Sequence, residues 1–169
     1  MAAAREVYLV RHAIAAARGA KYPDDRRRPL TAAGMSRFRR AVAGLAALGV
    51  ELDLVLTSPL ARATGTAEIL AAGLSQAPPV EVLDLLAPGT APRAVAEAVS
   101  GLPASARRVA LVGHEPDLGH LAARLLGARG AVEFKKGAVA LIELDGALPG
   151  GPGTLRFLLP PRMLRRLAR

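Results

Sequence analysis

Apolar residues occur in two arrangements along this chain: short unbroken runs, and longer segments in which they return every three or four positions. The runs "EVYLVR" (6–11), "DLVLTS" (53–58) and "RRVALVGH" (107–114) read as strands, because β-branched and aromatic side chains fit a pleated surface that is covered on both faces. The periodic segments read as helices. In "TAAGMSRFRRAVAGLAALG" (31–49), Met35, Phe38, Val42, Leu45 and Leu48 share one face and Gly49 marks the stop. "SPLARATGTAEILAAG" (58–73) opens with Ser58 as N-cap and Pro59 at the first helical position, where a missing N–H costs nothing. "TAPRAVAEAVSG" (90–101), capped by Thr90, and "PDLGHLAARLLG" (116–127) are two more helices, and "VEVL" (80–83) is a short strand. "GAVALIEL" (137–144) and "TLRFLL" (154–159) are strands that the turn "DGALPGGPG" (145–153) joins into an antiparallel hairpin, and "PPRMLRRLAR" closes the chain as a basic amphipathic helix. There is no internal repeat and no long linker.

Continuous apolar strands alternating with helices predict an α/β fold: a three-layer α/β/α sandwich whose central sheet is mostly parallel, with an antiparallel strand at one side. At 169 residues one domain is expected over 1–169. In such sheets ligands sit beyond the C-terminal strand edge, where the loops into the following helices converge. The three strongest strands end in Arg11-His12, Thr57-Ser58 and Gly113-His114. His12 and His114, far apart in sequence, are thus expected on one edge of one sheet, beside a helix start whose first turns carry Arg62.

Composition narrows the chemistry. No stretch is long and apolar enough to span a bilayer and the N-terminus lacks the form of a signal peptide, so the expectation is a cytoplasmic protein without a membrane partner. With no cysteine and only three histidines, a metal site would need carboxylates to complete it; neither a metal nor another cofactor is expected. Lys and Arg outnumber Asp and Glu by 23 to 14, a formal net charge of +9, which favours anionic partners. Two Tyr and three Phe, with no Trp, leave little on which to stack bases, so nucleic acid is a weak alternative.

Two imidazoles with Arg11 and Arg62 near a helix N-terminus suit a phosphoryl group. Guanidinium forks match phosphate oxygens and stay charged, while a neutral imidazole can attack phosphorus and divide one hard displacement into two easier ones. There is a tension, because cations that hold phosphate also depress histidine pKa values, and the nucleophile needs an acceptor, backbone carbonyl or carboxylate, to fix its tautomer.

The segments "LVRH" (9–12), "DDRRRPLTAAG" (24–34), "VLTSPLARATGTAEIL" (55–70) and "VALVGHEPDL" (109–118), in that order, resemble the signature segments of the histidine phosphatase superfamily and, within it, the small SixA-type phosphohistidine phosphatase branch. The resemblance implies a phosphoglycerate mutase-like fold and a signalling phosphatase. It implies His12 as the phosphorylated nucleophile, Arg11 and Arg62 as phosphate ligands, His114 as the second phosphate-contacting histidine, Arg28 as a further basic ligand and Asp25 as the residue that orders its loop. The substrate so implied is phosphohistidine on a protein. Two departures stand out. Ala13 occupies a position where the family often has glycine, which would strain the loop if a positive φ were needed there. The chain also lacks the insertion that carries a general-acid glutamate in larger members, and Asp84 and Glu115 are the substitutes at hand. A phosphoramidate needs less help, since its imidazole leaving group can already be protonated.

Plainer readings compete at several positions. His120 is expected to be structural, Lys135-Lys136 an exposed pair that could rim the pocket, and Ser58 a cap rather than a nucleophile. Arg28 lies in the run "RRR", where a solvated cluster is as good a reading as a ligand. Glu115 would also suit the positive start of its helix. As whole-protein alternatives, the chain could hydrolyse small phosphomonoesters, or recognise phosphate without turnover.

Overall fold

A computed structural model describes residues 4–146 and 152–168. Six strands, β1 (Arg5–Arg11), β2 (Leu54–Thr57), β3 (Val80–Val82), β4 (Arg108–Gly113), β5 (Val139–Leu144) and β6 (Thr154–Leu159), form one sheet in the order β3-β2-β4-β1-β5-β6. β1 to β4 are parallel. β5 pairs antiparallel with both β1 and β6, so β5 alone runs against the rest and β6 forms that edge. The tip of the β5–β6 turn, residues 147–151, lies outside the described residues.

Alternation along the buried strands feeds two cores. Val7 and Leu9 of β1, with Val109 and Leu111 of β4, pack against α3 (Pro92–Ser100) and α4 (Asp117–Leu125) through Val95, Val99, Leu118 and Leu121. Tyr8 and Val10, with Ala110 and Val112, face α1 (Ala32–Ala47), α2 (Ala61–Ala72) and α5 (Pro161–Leu167) through Phe38, Val42, Leu70 and Leu164. The three-layer α/β/α sandwich is therefore present. Among the described residues no helix is long and apolar enough to cross a membrane.

Topology creates the site. The chain leaves β1 through α1 toward β2, and leaves β4 through α4 on the other face toward β5, so the two connections diverge above neighbouring strands. A crevice opens where such connections part, at the C-terminal ends of β1 and β4.

Three boundaries differ from those the sequence predicts. α2 starts at Ala61 with Leu60 as its N-cap residue, because Ser58, still buried at the strand end, spends its hydroxyl elsewhere. α3 starts at Pro92, and the Thr90 hydroxyl donates back to Ala87 O instead of capping. Leu48, the last residue of the expected apolar face of α1, is 47% exposed, since the helix ends at Ala47 before that face returns to the core.

Candidate active site

Register brings the histidines together. Arg11 pairs with Gly113 and Thr57 with Val112, so His12, His114 and Ser58 are the first residues past three adjacent strand ends. Backbone hydrogen bonds extend the ladder by one step, from His12 N–H to Gly113 O at 3.1 Å and from Ser58 N–H to Val112 O at 3.0 Å. The imidazole centroids of His12 and His114 lie 5.2 Å apart with the rings tilted by 53°. Both side chains are buried, at 6% and 4% exposure.

The His12 ring is oriented by its own loop. Nδ1 lies 2.7 Å from Ala13 O. A carbonyl can only accept, so Nδ1 carries the proton and Nε2 keeps its lone pair. This is the acceptor that the chemistry demanded. Burial, reinforced by the charges of Arg62, Arg11 and Lys136, outweighs the Ala13 hydrogen bond and brings the His12 pKa down to about 4. His114 is lowered to about 3, by burial first and then by the charges of His12 and Arg62. Its Nε2 sits 2.7 Å from Ser58 Oγ, and the same hydroxyl oxygen accepts from Leu60 N–H at 3.3 Å. A Ser58 hydroxyl that donates to Nε2 leaves His114 with an Nδ1–H.

Asp25, in the 3-10 turn Asp25–Arg27, organises the arginines. Its carboxylate holds Arg62 Nη2 at 3.0 Å and Arg28 Nε at 2.9 Å, and its carbonyl accepts from Arg62 Nη1 at 2.9 Å. Desolvation works to raise the Asp25 pKa, but the hydrogen bond from Arg28 and the charges of Arg62, Arg28 and Arg18 prevail and hold it below the usual carboxylate range. Arg28 donates a further bond to Ala16 O at 2.8 Å. The run of three arginines thus divides: Arg26 and Arg27 are exposed, whereas Arg28 is 8% exposed and locked behind Asp25. Arg11 donates from Nη1 to Phe134 O at 2.6 Å. Among the described residues the buried side-chain nitrogens and oxygens without a partner are Arg11 Nε, Arg62 Nε and His114 Nδ1. An unpaired buried polar group costs about 1–3 kcal/mol, so three on one set of residues call for a ligand.

Other expectations resolve as follows. Glu115 accepts from Gly119 N–H at 3.0 Å with one oxygen and from Phe134 N–H at 2.6 Å with the other, which commits both to the backbone. Asp84 is exposed at the start of a 3-10 turn, and His120 is exposed on α4. Lys135 and Lys136 are exposed, Lys135 pairing with Glu133 at 3.0 Å. Ala13 is unstrained, because among the described residues Ala77 alone outside glycine has positive φ. Its N–H is received by Thr66 Oγ1 at 3.0 Å, and that hydroxyl donates to Arg62 O at 2.7 Å. Thr66 and Ser58 hold the site in ways the sequence reading missed; the one-turn spacing from Arg62 to Thr66 was a usable signal, whereas the Ser58 contact depends on sheet order. No group of three or more His, Cys, Asp or Glu side chains among the described residues is placed to hold a metal ion.

Residues 7–87 match the family model described as histidine phosphatase superfamily, branch 1. Over 95% of its length the chain is 30% identical to the phosphohistidine phosphatase SixA of Escherichia coli, of which the match covers 96%. The chain belongs to the histidine phosphatase superfamily, in its SixA branch. An uncharacterized protein of Picosynechococcus sp. is 43% identical over 69% of this chain and 70% of its own. Among solved structures, the protein histidine phosphatase SixA complexed with tungstate superposes with a TM-score of 0.82 at 30% identity, covering 93% of this chain and 97% of that one. Membership in this superfamily agrees with the fold and supports a phosphatase.

Proposed function

We propose that the protein is a metal-independent phosphatase that removes the phosphoryl group from phosphohistidine borne on a protein, through a covalent phosphohistidine on His12. The observation that carries this reading is the set of three buried, unpartnered nitrogens on Arg11, Arg62 and His114 beside a neutral His12 whose Nε2 lone pair is free. The SixA relative bears the name phosphohistidine phosphatase, and its structural counterpart was solved with tungstate.

In the first step the phosphoryl oxygens take hydrogen bonds from Arg11, Arg62 and His114 Nδ1–H, and His12 Nε2 attacks phosphorus as the substrate imidazole leaves. In the second step water attacks the phosphohistidine, phosphate departs with the protons of that water, and His12 returns with Nδ1–H still donating to Ala13 O. The guanidinium groups stabilise the charge of the equatorial oxygens in both displacements. Asp25 positions Arg62, and Arg28 acts on the phosphate site through Asp25. The substrate class follows from the carboxylates. Both Glu115 oxygens are engaged by backbone N–H groups and Asp25 is held ionised between arginines, so neither is placed to protonate a leaving alkoxide, whereas a protonated phosphohistidine ring can leave without such help.

The decisive measurement is a trap of the turnover mixture with phosphorus-labelled substrate. The expected result is an acid-labile, base-stable label on His12 that His12→Ala abolishes together with hydrolysis, and that EDTA leaves unchanged. Label on Ser58, or turnover without label, overturns the mechanism. Faster turnover of sugar phosphates than of a phosphohistidine peptide overturns the substrate class.

A further inference from the structure

A groove of ≈ 240 Å³ begins at Ala13 and Ile14, the two residues after His12, and runs between α1 and α5. Ile14 and Pro161 contribute its apolar lining, above the buried ring of Phe38. Its rim is basic, with Arg37 from α1, Lys136 from the loop before β5, and Arg162 and Arg165 from α5, and no carboxylate lines it. Some exposed arginines elsewhere are matched, as in Arg93–Glu97 and Arg156–Glu143, and others, such as Arg39 and Arg124, stand unpaired among the described residues; what sets the groove apart is that its cations gather along one apolar cleft. Among the described residues these four cations form no ion pair.

We propose that this groove docks an acidic segment, bearing an apolar side chain among its carboxylates, of the phosphoprotein whose phosphohistidine reaches His12. The inference rests on the phosphohistidine reading for its catalytic half. Charge complementarity selects the occupant, since unmatched cations gain from carboxylates that an apolar lining alone would not attract. Continuity places it, because the groove opens from the nucleophile loop and the charge of Lys136 is felt at His12. The groove is smaller than the roughly 300–1,000 Å³ of pockets that enclose small molecules, and so suits a few side chains of an extended segment. Its aromatic ring, Phe38, is 1% exposed and offers no face on which a nucleic acid base could stack.

The test uses the full-length protein. A fluorescent, unphosphorylated peptide carrying three Asp or Glu and one Leu should bind in low salt, and Arg37→Glu/Arg162→Glu should weaken it about tenfold, as two attractive surface pairs become repulsive. With a phosphohistidine in the same peptide, the variant should raise KM about tenfold at unchanged kcat. Its turnover of phosphoramidate, which has no flanking segment, should match that of the parent, and so reports an intact fold and site. If the charge reversals disturb folding, Arg37→Gln/Arg165→Gln should give about a threefold loss by removing attraction alone. Equal binding of an Asn/Gln analogue of the peptide, peptide affinity that the variants leave unmoved, or tighter binding of a single-stranded RNA or of phosphatidylserine vesicles at the same residues overturns the proposal. Should the parent protein hydrolyse neither phosphohistidine nor phosphoramidate, the catalytic reading fails, while the peptide-binding comparison still decides the groove.

Discussion

At the scale of single residues, the site depends on which nitrogen carries which proton. The Ala13 carbonyl assigns the His12 proton to Nδ1, and nitrogen-detected NMR at pH 7 should find that tautomer, with Nε2 unprotonated. Its pKa of about 4 places the acid limb of kcat/KM well below pH 6; a limb near the ordinary histidine value would contradict the burial argument. Ser58→Ala removes the partner of His114 Nε2 and frees the ring to turn or change tautomer, so kcat/KM should fall about ten- to a hundredfold while the protein stays folded. Thr66→Val keeps the volume but leaves the Ala13 N–H with no acceptor, at a cost of about 1–3 kcal/mol in urea unfolding. The four central residues of the site could be read from the sequence because each ends a strand or opens a helix beside one. The supporting contacts could not: Ser58 reaches His114 only because β2 lies beside β4, and strand order leaves no trace in local pattern. Arg28 was ambiguous for a related reason, since periodicity does not tell which arginine of three in a row turns inward to Asp25.

Among elements, the pairing of α1 with α5 shapes the groove. Gly44 lies against the backbone of α5 so closely that a Cβ there would stand 1.9 Å from Leu164 O. Gly44→Ala should therefore push α5 away, lower stability by about 1–3 kcal/mol, and weaken the acidic peptide more than it slows phosphoramidate turnover. Unfolding midpoints, the peptide affinity and the phosphoramidate rate separate these effects. The basic, amphipathic nature of α5 was plain from its residues, but its docking on α1 was not, because a buried Leu164 among arginines is compatible with many partners. The helix starts differ where a hydroxyl has another use: Ser58 and Thr90 look like caps by type and position, but Ser58 meets His114 from a neighbouring strand end and Thr90 bonds the Ala87 carbonyl three residues back in its own loop.

For the molecule as a whole, two neutral histidines in the core make stability depend on pH. Each has a folded pKa below its unfolded value near 6.5, so the unfolded chain takes up protons that the folded one refuses. Their contribution is complete above about pH 6.5 and is lost as pH falls toward about 4 and 3. The loss is on the order of 2 kcal/mol per histidine at pH 5. Urea titrations at pH 7 and 5 should show it, and His12→Gln/His114→Gln should flatten the difference. The parallel three-layer architecture was legible because uninterrupted apolar strands leave few other arrangements, whereas the inner position of β5 rests on pairing that no single strand reveals. Phe134 gives that architecture a last property. Its N–H reaches Glu115, next to His114, and its carbonyl reaches Arg11, next to His12, so one residue spaces the two histidine loops as a rung spaces the rails of a ladder. Lengthening the chain just ahead of it would widen the gap between attacking ring and anion clasp without altering any group that meets the phosphate.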